Sequence, residues 1–220
     1  MPPPPLYCPP PHFSPTISNG IHWIKPPPGF AKLNTDASFK KYKYNCSRSS
    51  IAGVCRDENG RWMFGFSSRV QSGSSFEAEL VAVREALKLA WHKGLRWVIV
   101  ESDSESVVNR ILNQIIRQPK NKLEAIILEC QGYVMSRAWS CSIQHTRREG
   151  NFAADALTKE LASESFELHV WDHPPESLSL ILLADKIGME VPRHGALDQN
   201  QILYLKLKRR ELLARNHHWY

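Results

Sequence analysis

The chain has 220 residues, of which 42% are hydrophobic and 23% are charged, and its formal net charge is +6. A chain of this length and apolar content can bury one sizeable core and carry a small appendage. The sequence pI of about 9.1 suits a polyanionic partner, although many proteins with other functions share it. No apolar run approaches the length that spans a membrane, which excludes a transmembrane helix.

The cysteines indicate a reducing compartment. Their odd number and the lack of any C-x-x-C pair argue against both a zinc site and a disulfide framework. The N-terminus is proline-rich and lacks the basic and apolar regions of a signal peptide. We therefore expect an intracellular protein, either nuclear or cytoplasmic. The five cysteines are Cys8, Cys46, Cys55, Cys130 and Cys141.

Residues 1–28 contain most of the proline, in runs at positions 2–5, 9–11 and 26–28. Such segments have few backbone donors and favour extended conformations, so we predict a disordered leader. A proline motif that binds a partner is an alternative. Because residues 1–26 lack apolar periodicity, we expect them to contribute little to the core.

A β-meander is predicted to follow the leader. Residues 30–39 alternate in polarity and place Asp36 on the polar face of a first strand. Residues 51–56 and 62–70 predict two further strands, joined by the turn D-E-N-G.

The next segment predicts a long helix that begins with the capping box Ser74-x-x-Glu77 and ends at Gly94. Glu79 lies at the edge of the apolar stripe of this helix. A carboxylate there must find a partner or become neutral, because burying an unpaired charge is costly. One alternative is that Glu79 pairs with an arginine and keeps its charge in solvent.

A short apolar strand at residues 97–100 runs directly into a helix, with Asp103 at the junction. Acids at the carboxyl ends of central strands lie where open α/β sheets place their chemistry, although a helix-capping role for Asp103 is also open. Another helix at residues 123–134, a strand at 139–144 and a last helix at 151–162 follow. Asp155 lies among alanines of that last helix, where a surface acid favoured by the helix dipole is the alternative.

Four motifs on these elements resemble type 1 ribonuclease H, and specifically the plant domains descended from reverse transcriptases of non-LTR retrotransposons. They are N-T-D-A-S at Asp36, E-A-E-L at Glu79, E-S-D-S at Asp103 and H-x5-N-x3-D from His145 to Asp155. The resemblance covers residues 30–162. It implies an α/β, ribonuclease H-like fold with a mixed five-stranded sheet, an antiparallel meander followed by parallel strands, in the order β-β-β-α-β-α-β-α. The domain would span residues 29–163, and residues 164–220 would form a partly helical extension.

The resemblance also implies a two-metal hydrolysis of phosphodiesters. Two Mg²⁺ ions, with Mn²⁺ as a possible substitute, would activate water and relieve charge on the leaving oxygen. Asp36 would bridge both ions, Glu79 and Asp103 would hold one, and Asp155 the other. His145 would assist proton movement or product departure, although a loop histidine without a role is the alternative.

The expected partner is an RNA–DNA hybrid, with no membrane contact, and we expect a monomer. Lys40, Lys41 and Lys43 offer phosphate contacts next to the first acidic strand, although a solvated loop with ordinary charges is an alternative. By resemblance, Ser74 and Asn151 would also contact the nucleic acid.

Three functions remain open at this point. The first is a Mg²⁺-dependent endonuclease that cuts the RNA strand of RNA–DNA hybrids. The second is a domesticated, catalytically silent module that binds nucleic acid or protein. An integrase or resolvase on the same fold is a third, disfavoured by the H-x5-N-x3-D motif.

Overall fold

The computed structural model describes residues 22–41, 47–160, 166–190 and 197–214. Among the described residues, no helix is both long enough and apolar enough to cross a membrane. The strands are β1 (Ala31–Lys41), β2 (Ser47–Arg56), β3 (Trp62–Val70), β4 (Trp97–Ser102), β5 (Ser140–His145) and β6 (His169–Trp171). The helices are α1 (Ser75–His92), α2 (Glu105–Asn113), α3 (Lys122–Val134), α4 (Phe152–Leu157), α5 (Ser179–Lys186) and α6 (Gln199–Ala214).

The strands form one mixed sheet in the order β5-β4-β1-β2-β3-β6. Strands β1, β2, β3 and β6 pair antiparallel in that sequence, whereas β4 runs parallel to β1 and β5 runs parallel to β4. The predicted meander and parallel strands are therefore present. The sheet has six strands instead of the predicted five, because β6 is a three-residue edge strand and is too short to produce a periodic signal.

Two helices connect β4 to β5, one after Asp103 and one in the segment predicted at residues 123–134, whereas the predicted element order counts a single helix there. Helix α2 ends at Asn113, and Gln114 is extended, so the chain leaves the helix before the polar turn at residues 115–121. Helix α3 then begins with Asn121 as N-cap, whose side chain accepts from the Glu124 amide at 2.9 Å.

The main core lies between one face of the sheet and helices α1, α2 and α3. Leu33 and Ile51 supply the sheet side, and Leu80, Leu87 and Ile127 supply the helix side, all with no exposed surface. Leu80 and Leu87 belong to the apolar stripe predicted for α1. This packing fixes α1, and Glu79 with it, against β1.

The opposite face of the sheet is covered partly by a segment that the sequence assigned to the leader. Trp23 is only 2% exposed, and its indole Nε1 donates to Asn34 Oδ1 at 2.8 Å. Residues 22–28 therefore pack on the domain, which corrects the prediction of a disordered leader for this stretch. The sequence did not predict the burial of Trp23, because one aromatic residue among prolines creates no apolar periodicity. Residues 1–21 lie outside the described residues.

Helix α4 and the C-terminal extension cover the rest of that face. Strand β6 pairs with β3, and Leu178, Ile181 and Leu182 of the extension pack with Leu157 of α4. Helix α6 packs on α5 through Leu205, which has no exposed surface. Helices α5 and α6 both lie between residues 164 and 220.

Helix α4 is shorter than the helix predicted at residues 151–162. It ends at Leu157, and residues 158 and 159 form a turn. The Thr158 hydroxyl donates to the Asp155 carbonyl oxygen at 2.7 Å, the kind of local bond that competes with helix propagation. Residues 161 and 162, and the predicted domain boundary at residue 163, lie outside the described residues.

Candidate active site

Three acidic side chains meet at one edge of the sheet, at the carboxyl end of its central parallel pair. Thr35 of β1 pairs with Ser102, the last residue of β4, so the residues that follow them in the chain, Asp36 and Asp103, lie at the same level. Glu79 reaches this edge from the second turn of α1, and the amide of Ala37 donates to its carboxylate. Sheet register and helix packing therefore bring together residues that are far apart in the sequence.

The three carboxylates form a compact group. One oxygen each of Asp36, Glu79 and Asp103 lies within 4.8 Å of the others. Asp36 is only 6% exposed, and Glu79 and Asp103 are half-buried. Glu79 Oε2 is buried and accepts no hydrogen bond from the described residues. A buried carboxylate oxygen without a donor has the position expected of a cation ligand.

The pKa values of all three acids are raised, so ionisation of the site is unfavourable without a cation. Burial raises the pKa of Asp36 to about 8, and the charges of Asp103 and Asp155 add to the effect. Burial raises the pKa of Glu79 to about 9, with further contributions from Asp36 and Asp103. Burial also raises the pKa of Asp103. Oxygen ligands of this kind fit a hard divalent cation, which would restore the ionised state. The group can therefore hold a metal ion.

Asp155 lies beside the group but does not belong to it. Its side chain is 46% exposed and pairs with Lys159, four residues later on the chain, at 2.8 Å. Its charge nevertheless contributes to the raised pKa values of Asp36 and Asp103, which places it near both. The structure thus assembles three of the four predicted metal ligands and leaves the fourth at the margin, engaged with a lysine.

The loop after β5 brings positive charge to the site. His145 is exposed at the end of β5, and its charge would lower the pKa of Asp103. Arg148 lies closer, with Nε 3.6 Å from Asp103 Oδ2, and its side chain is 88% exposed. The sequence predicted no role for Arg148, although its position three residues after His145 could have indicated one.

Asn151 has a different environment from the one predicted. Its side chain is 1% exposed and donates to the Thr35 carbonyl oxygen at 2.9 Å, with Asp36 Oδ1 at 3.5 Å. A buried amide cannot reach a nucleic acid on the surface, so the prediction of a nucleic-acid contact is corrected. The geometry instead places Asn151 between the start of α4 and the strand that carries Asp36.

The structure describes three of the other four residues predicted to contact nucleic acid. Lys40 and Lys41 are exposed at the end of β1, and Lys43 lies outside the described residues. Ser74 is the N-cap of α1, where its hydroxyl accepts from the Glu77 amide at 3.1 Å. Its hydroxyl therefore already has a structural use.

An open groove of about 900 Å³ lies between α1, α2 and α3. None of the three carboxylates lines it, although Phe76 is one helical turn before Glu79 and Ser106 is three residues after Asp103. Polar side chains predominate in its lining, which consists of Phe76, Ser106, Asn109, Arg110, Asn113, Gln114 and Leu123.

Solved structures with a similar fold include an RNase H1 and a viral reverse transcriptase. The chain is similar to RNase H1 from the halophilic archaeon Halobacterium salinarum NRC-1, with 20% identity and a TM-score of 0.50 over 60% of this chain and 96% of that one. It is also similar to the foamy viral protease-reverse transcriptase solved in complex with an RNA/DNA hybrid. That match has 16% identity and a TM-score of 0.52 over 68% of this chain and 22% of that one. The chain therefore carries a domain with the ribonuclease H-like fold.

Sequence comparison identifies the family. The family model described as "Reverse transcriptase-like" matches residues 34–161, and the chain belongs to this family. The chain is also 33% identical over 179 residues to the Arabidopsis thaliana protein named "Putative ribonuclease H protein". That match covers 81% of this chain and 28% of the relative, so the chain spans less than a third of the relative's length.

Proposed function

We propose that the protein is a Mg²⁺-dependent endonuclease that hydrolyses the RNA strand of RNA–DNA hybrids. The observation that supports this most strongly is the group formed by Asp36, Glu79 and Asp103 at the edge of a ribonuclease H-like sheet. The relatives named as ribonucleases H support the same reaction class. Mn²⁺ is a plausible substitute, because it accepts similar oxygen ligands.

In this proposal the chain's own residues hold the cations and shape the site. Asp36 would contribute to both ion sites, Glu79 and Asp103 would complete one of them, and Asp155 would contribute to the other after releasing Lys159. When bound, a pair of such ions activates a water and stabilises the leaving oxygen. His145, at the exposed end of β5, would move a proton near the departing group.

Substrate binding in this proposal uses two surfaces, the exposed lysines at the end of β1 and the polar groove beside α2. Lys40 and Lys41 attract phosphates at the end of β1. The polar groove beside α2 offers amide and hydroxyl groups, and ribose 2′-hydroxyls can bond to such groups across a shallow minor groove. A hybrid, which presents ribose on one strand only, fits this pair of surfaces.

A cleavage assay on a labelled RNA–DNA hybrid tests the proposal, with duplex DNA, duplex RNA and EDTA as controls. We expect Mg²⁺-dependent cutting of the RNA strand of the hybrid alone. Equal cleavage of duplex RNA, or cleavage that persists in EDTA, would contradict the proposed substrate or the proposed metal dependence.

One observation favours a second candidate, a module that binds nucleic acid without cutting it. Two of the four acids are engaged by cations of the chain, Asp103 by Arg148 and Asp155 by Lys159. If these ion pairs persist in the presence of Mg²⁺, the protein would bind the hybrid and leave it intact. A band-shift experiment run beside the cleavage assay separates binding from cutting.

A further inference from the structure

Several buried polar side chains lie behind the carboxylates, on the sheet face covered by residues 22–28 and α5. Strand alternation places Lys32, Asn34 and Asp36 on one face of β1, and all three are at most 6% exposed. Burying so many polar groups is unfavourable unless each finds a partner. We refer to Lys32, Asn34, Arg56, Glu101 and Asp185 as the buried polar layer.

Asn34 lies at the centre of the layer and contacts the segments that carry the other acids. Its Nδ2 donates to Glu101 Oε2 at 2.9 Å, and Glu101 is two residues before Asp103 on β4. The same nitrogen lies 3.5 Å from the carbonyl oxygen of Gly150, at the start of the turn that leads into α4. One carboxamide on β1 therefore links the segment before Asp103 with the segment before Asp155.

The orientation of the Asn34 amide is fixed by donors on its other side. Its Oδ1 accepts from Trp23 Nε1 and from an Arg56 guanidinium nitrogen, both at 2.8 Å. Because two donors face this oxygen, Nδ2 must point towards Glu101. Glu101 in turn accepts from Lys32 at 2.7 Å and from Gln144 at 2.8 Å, so its carboxylate is also held from several directions.

Arg56 joins the layer to the two segments outside the predicted sheet and helices. Its guanidinium lies 3.7 Å from the centre of the Trp23 ring and forms an ion pair with Asp185 of α5. Arg56 and Asp185 are 1% and 3% exposed. Buried pairs of this kind contribute little net stability but are costly to break, and they therefore fix the geometry of what they connect.

We propose that Asn34 is a positioning residue for the metal-binding carboxylates, and that Trp23 and Asp185 act through it by completing the buried polar layer. This inference depends on the proposed function for its metal site. Residues 22–28 and α5 are then parts of the catalytic domain. The approach of Asp36 to Asp103 depends on the register between β1 and β4. Removing residues 22–28 or α5 would loosen that register.

The test is a calorimetric titration with Mg²⁺ of the unmodified protein and of Asn34→Leu, which preserves side-chain volume but removes the hydrogen bonds. We expect Mg²⁺ to bind about tenfold more weakly to the variant, the lower end of what outer-sphere partners contribute. The Mg²⁺ concentration that gives half-maximal hybrid cleavage should rise by the same factor.

Gln131→Leu is the matched control, because Gln131 is also a buried amide and joins α3 to α2 through bonds of 2.8 and 2.7 Å to carbonyl oxygens. A merely structural role would lower the melting temperature of both variants and leave Mg²⁺ binding unchanged in both. That result would overturn the inference.

Trp23→Phe decides the question if Asn34→Leu does not fold, since it removes one donor to Asn34 and keeps the ring beside Arg56. Its control is Trp139→Phe, which removes the buried indole donor to the Tyr133 carbonyl oxygen at 2.7 Å. We expect Mg²⁺ binding about threefold weaker in Trp23→Phe than in its control. Equal binding would overturn the inference, and an unmodified protein that binds no Mg²⁺ would overturn the proposed function together with it.

Discussion

A carboxylate oxygen of Asp36 on β1 lies within 4.8 Å of one of Glu79 on α1, and the pKa values of the two groups are raised to about 8 and about 9. Above about pH 4, both acids are ionised in the unfolded chain but still protonated in the folded protein. The native state therefore binds more protons between about pH 4 and pH 8 to 9, and stability without metal must fall as pH rises through that window.

We accordingly expect the melting temperature in EDTA to decrease from about pH 5 to about pH 8. Added Mg²⁺ should raise it more at the higher pH, because cation binding requires ionised carboxylates. In Glu79→Gln, the melting temperature in EDTA should decrease less as the pH rises. Glu77→Gln is the control on the same helix, since the pKa of Glu77 is lowered and its ionisation is complete across this range. A melting temperature in EDTA that rises with pH would contradict the environment assigned to Asp36 and Glu79.

Asp103→Asn should abolish hybrid cleavage and leave the fold intact. A neutral amide cannot replace the charge that fixes a cation, and the loss of several kcal/mol of transition-state stabilisation corresponds to roughly a thousandfold in rate. The measurement is single-turnover cleavage, with circular dichroism to verify the fold. Asp172→Asn, at an exposed position of the C-terminal extension, is the control. Comparable turnover by Asp103→Asn would remove this residue from the site.

Trp23→Ala should destabilise the protein by about 3 to 5 kcal/mol, because it removes a large buried side chain together with its bond to Asn34. Deleting residues 1–26 should destabilise the protein by at least this amount, although the sequence predicts that these residues contribute little to the core. Chemical denaturation of Trp23→Ala measures the change. Ile24→Ala, at the neighbouring exposed position, should change stability by less than about 0.5 kcal/mol.

The elements of the domain could be predicted because their signals are local. The capping box at Ser74 marks the start of α1, and the alternation around Asp36 marks β1. The convergence of Asp36, Glu79 and Asp103 was predicted through the family resemblance, because sequence periodicity alone does not determine which elements lie side by side. Their catalytic roles stay predictions.

The features that were missed depend on long-range packing. Alternation places Asn34 on the polar face of β1, but the face is buried because residues 22–28 and α5 cover it. The partner of Arg56, Asp185, is 129 residues away in the sequence, and no local pattern connects them. The burial of Asn151 was missed for the same reason. Its spacing from His145 indicates a motif, but this spacing gives no information about burial.

Asp155 lies beside the carboxylate group and pairs with Lys159 at 2.8 Å. This position fits both a metal ligand and a structural residue. The pair is exposed, so losing it should cost no more than about 0.5 kcal/mol. If Asp155 binds Mg²⁺, Asp155→Asn should leave the melting temperature in EDTA nearly unchanged and reduce the rise that Mg²⁺ produces.

Lys159→Gln should have the opposite effect on the Mg²⁺ response. It frees Asp155 from a competing cation, so Mg²⁺ should bind more tightly and raise the melting temperature further. Each tenfold change in affinity is worth about 1.4 kcal/mol at saturating Mg²⁺, or roughly 3 to 5 °C for a protein of this size. A structural Asp155 would behave differently, because both substitutions would then lower stability slightly and leave the Mg²⁺ response unchanged. Thermal melts of the three proteins with EDTA and with millimolar Mg²⁺ distinguish these outcomes, and equal Mg²⁺ responses would exclude Asp155 from the metal site.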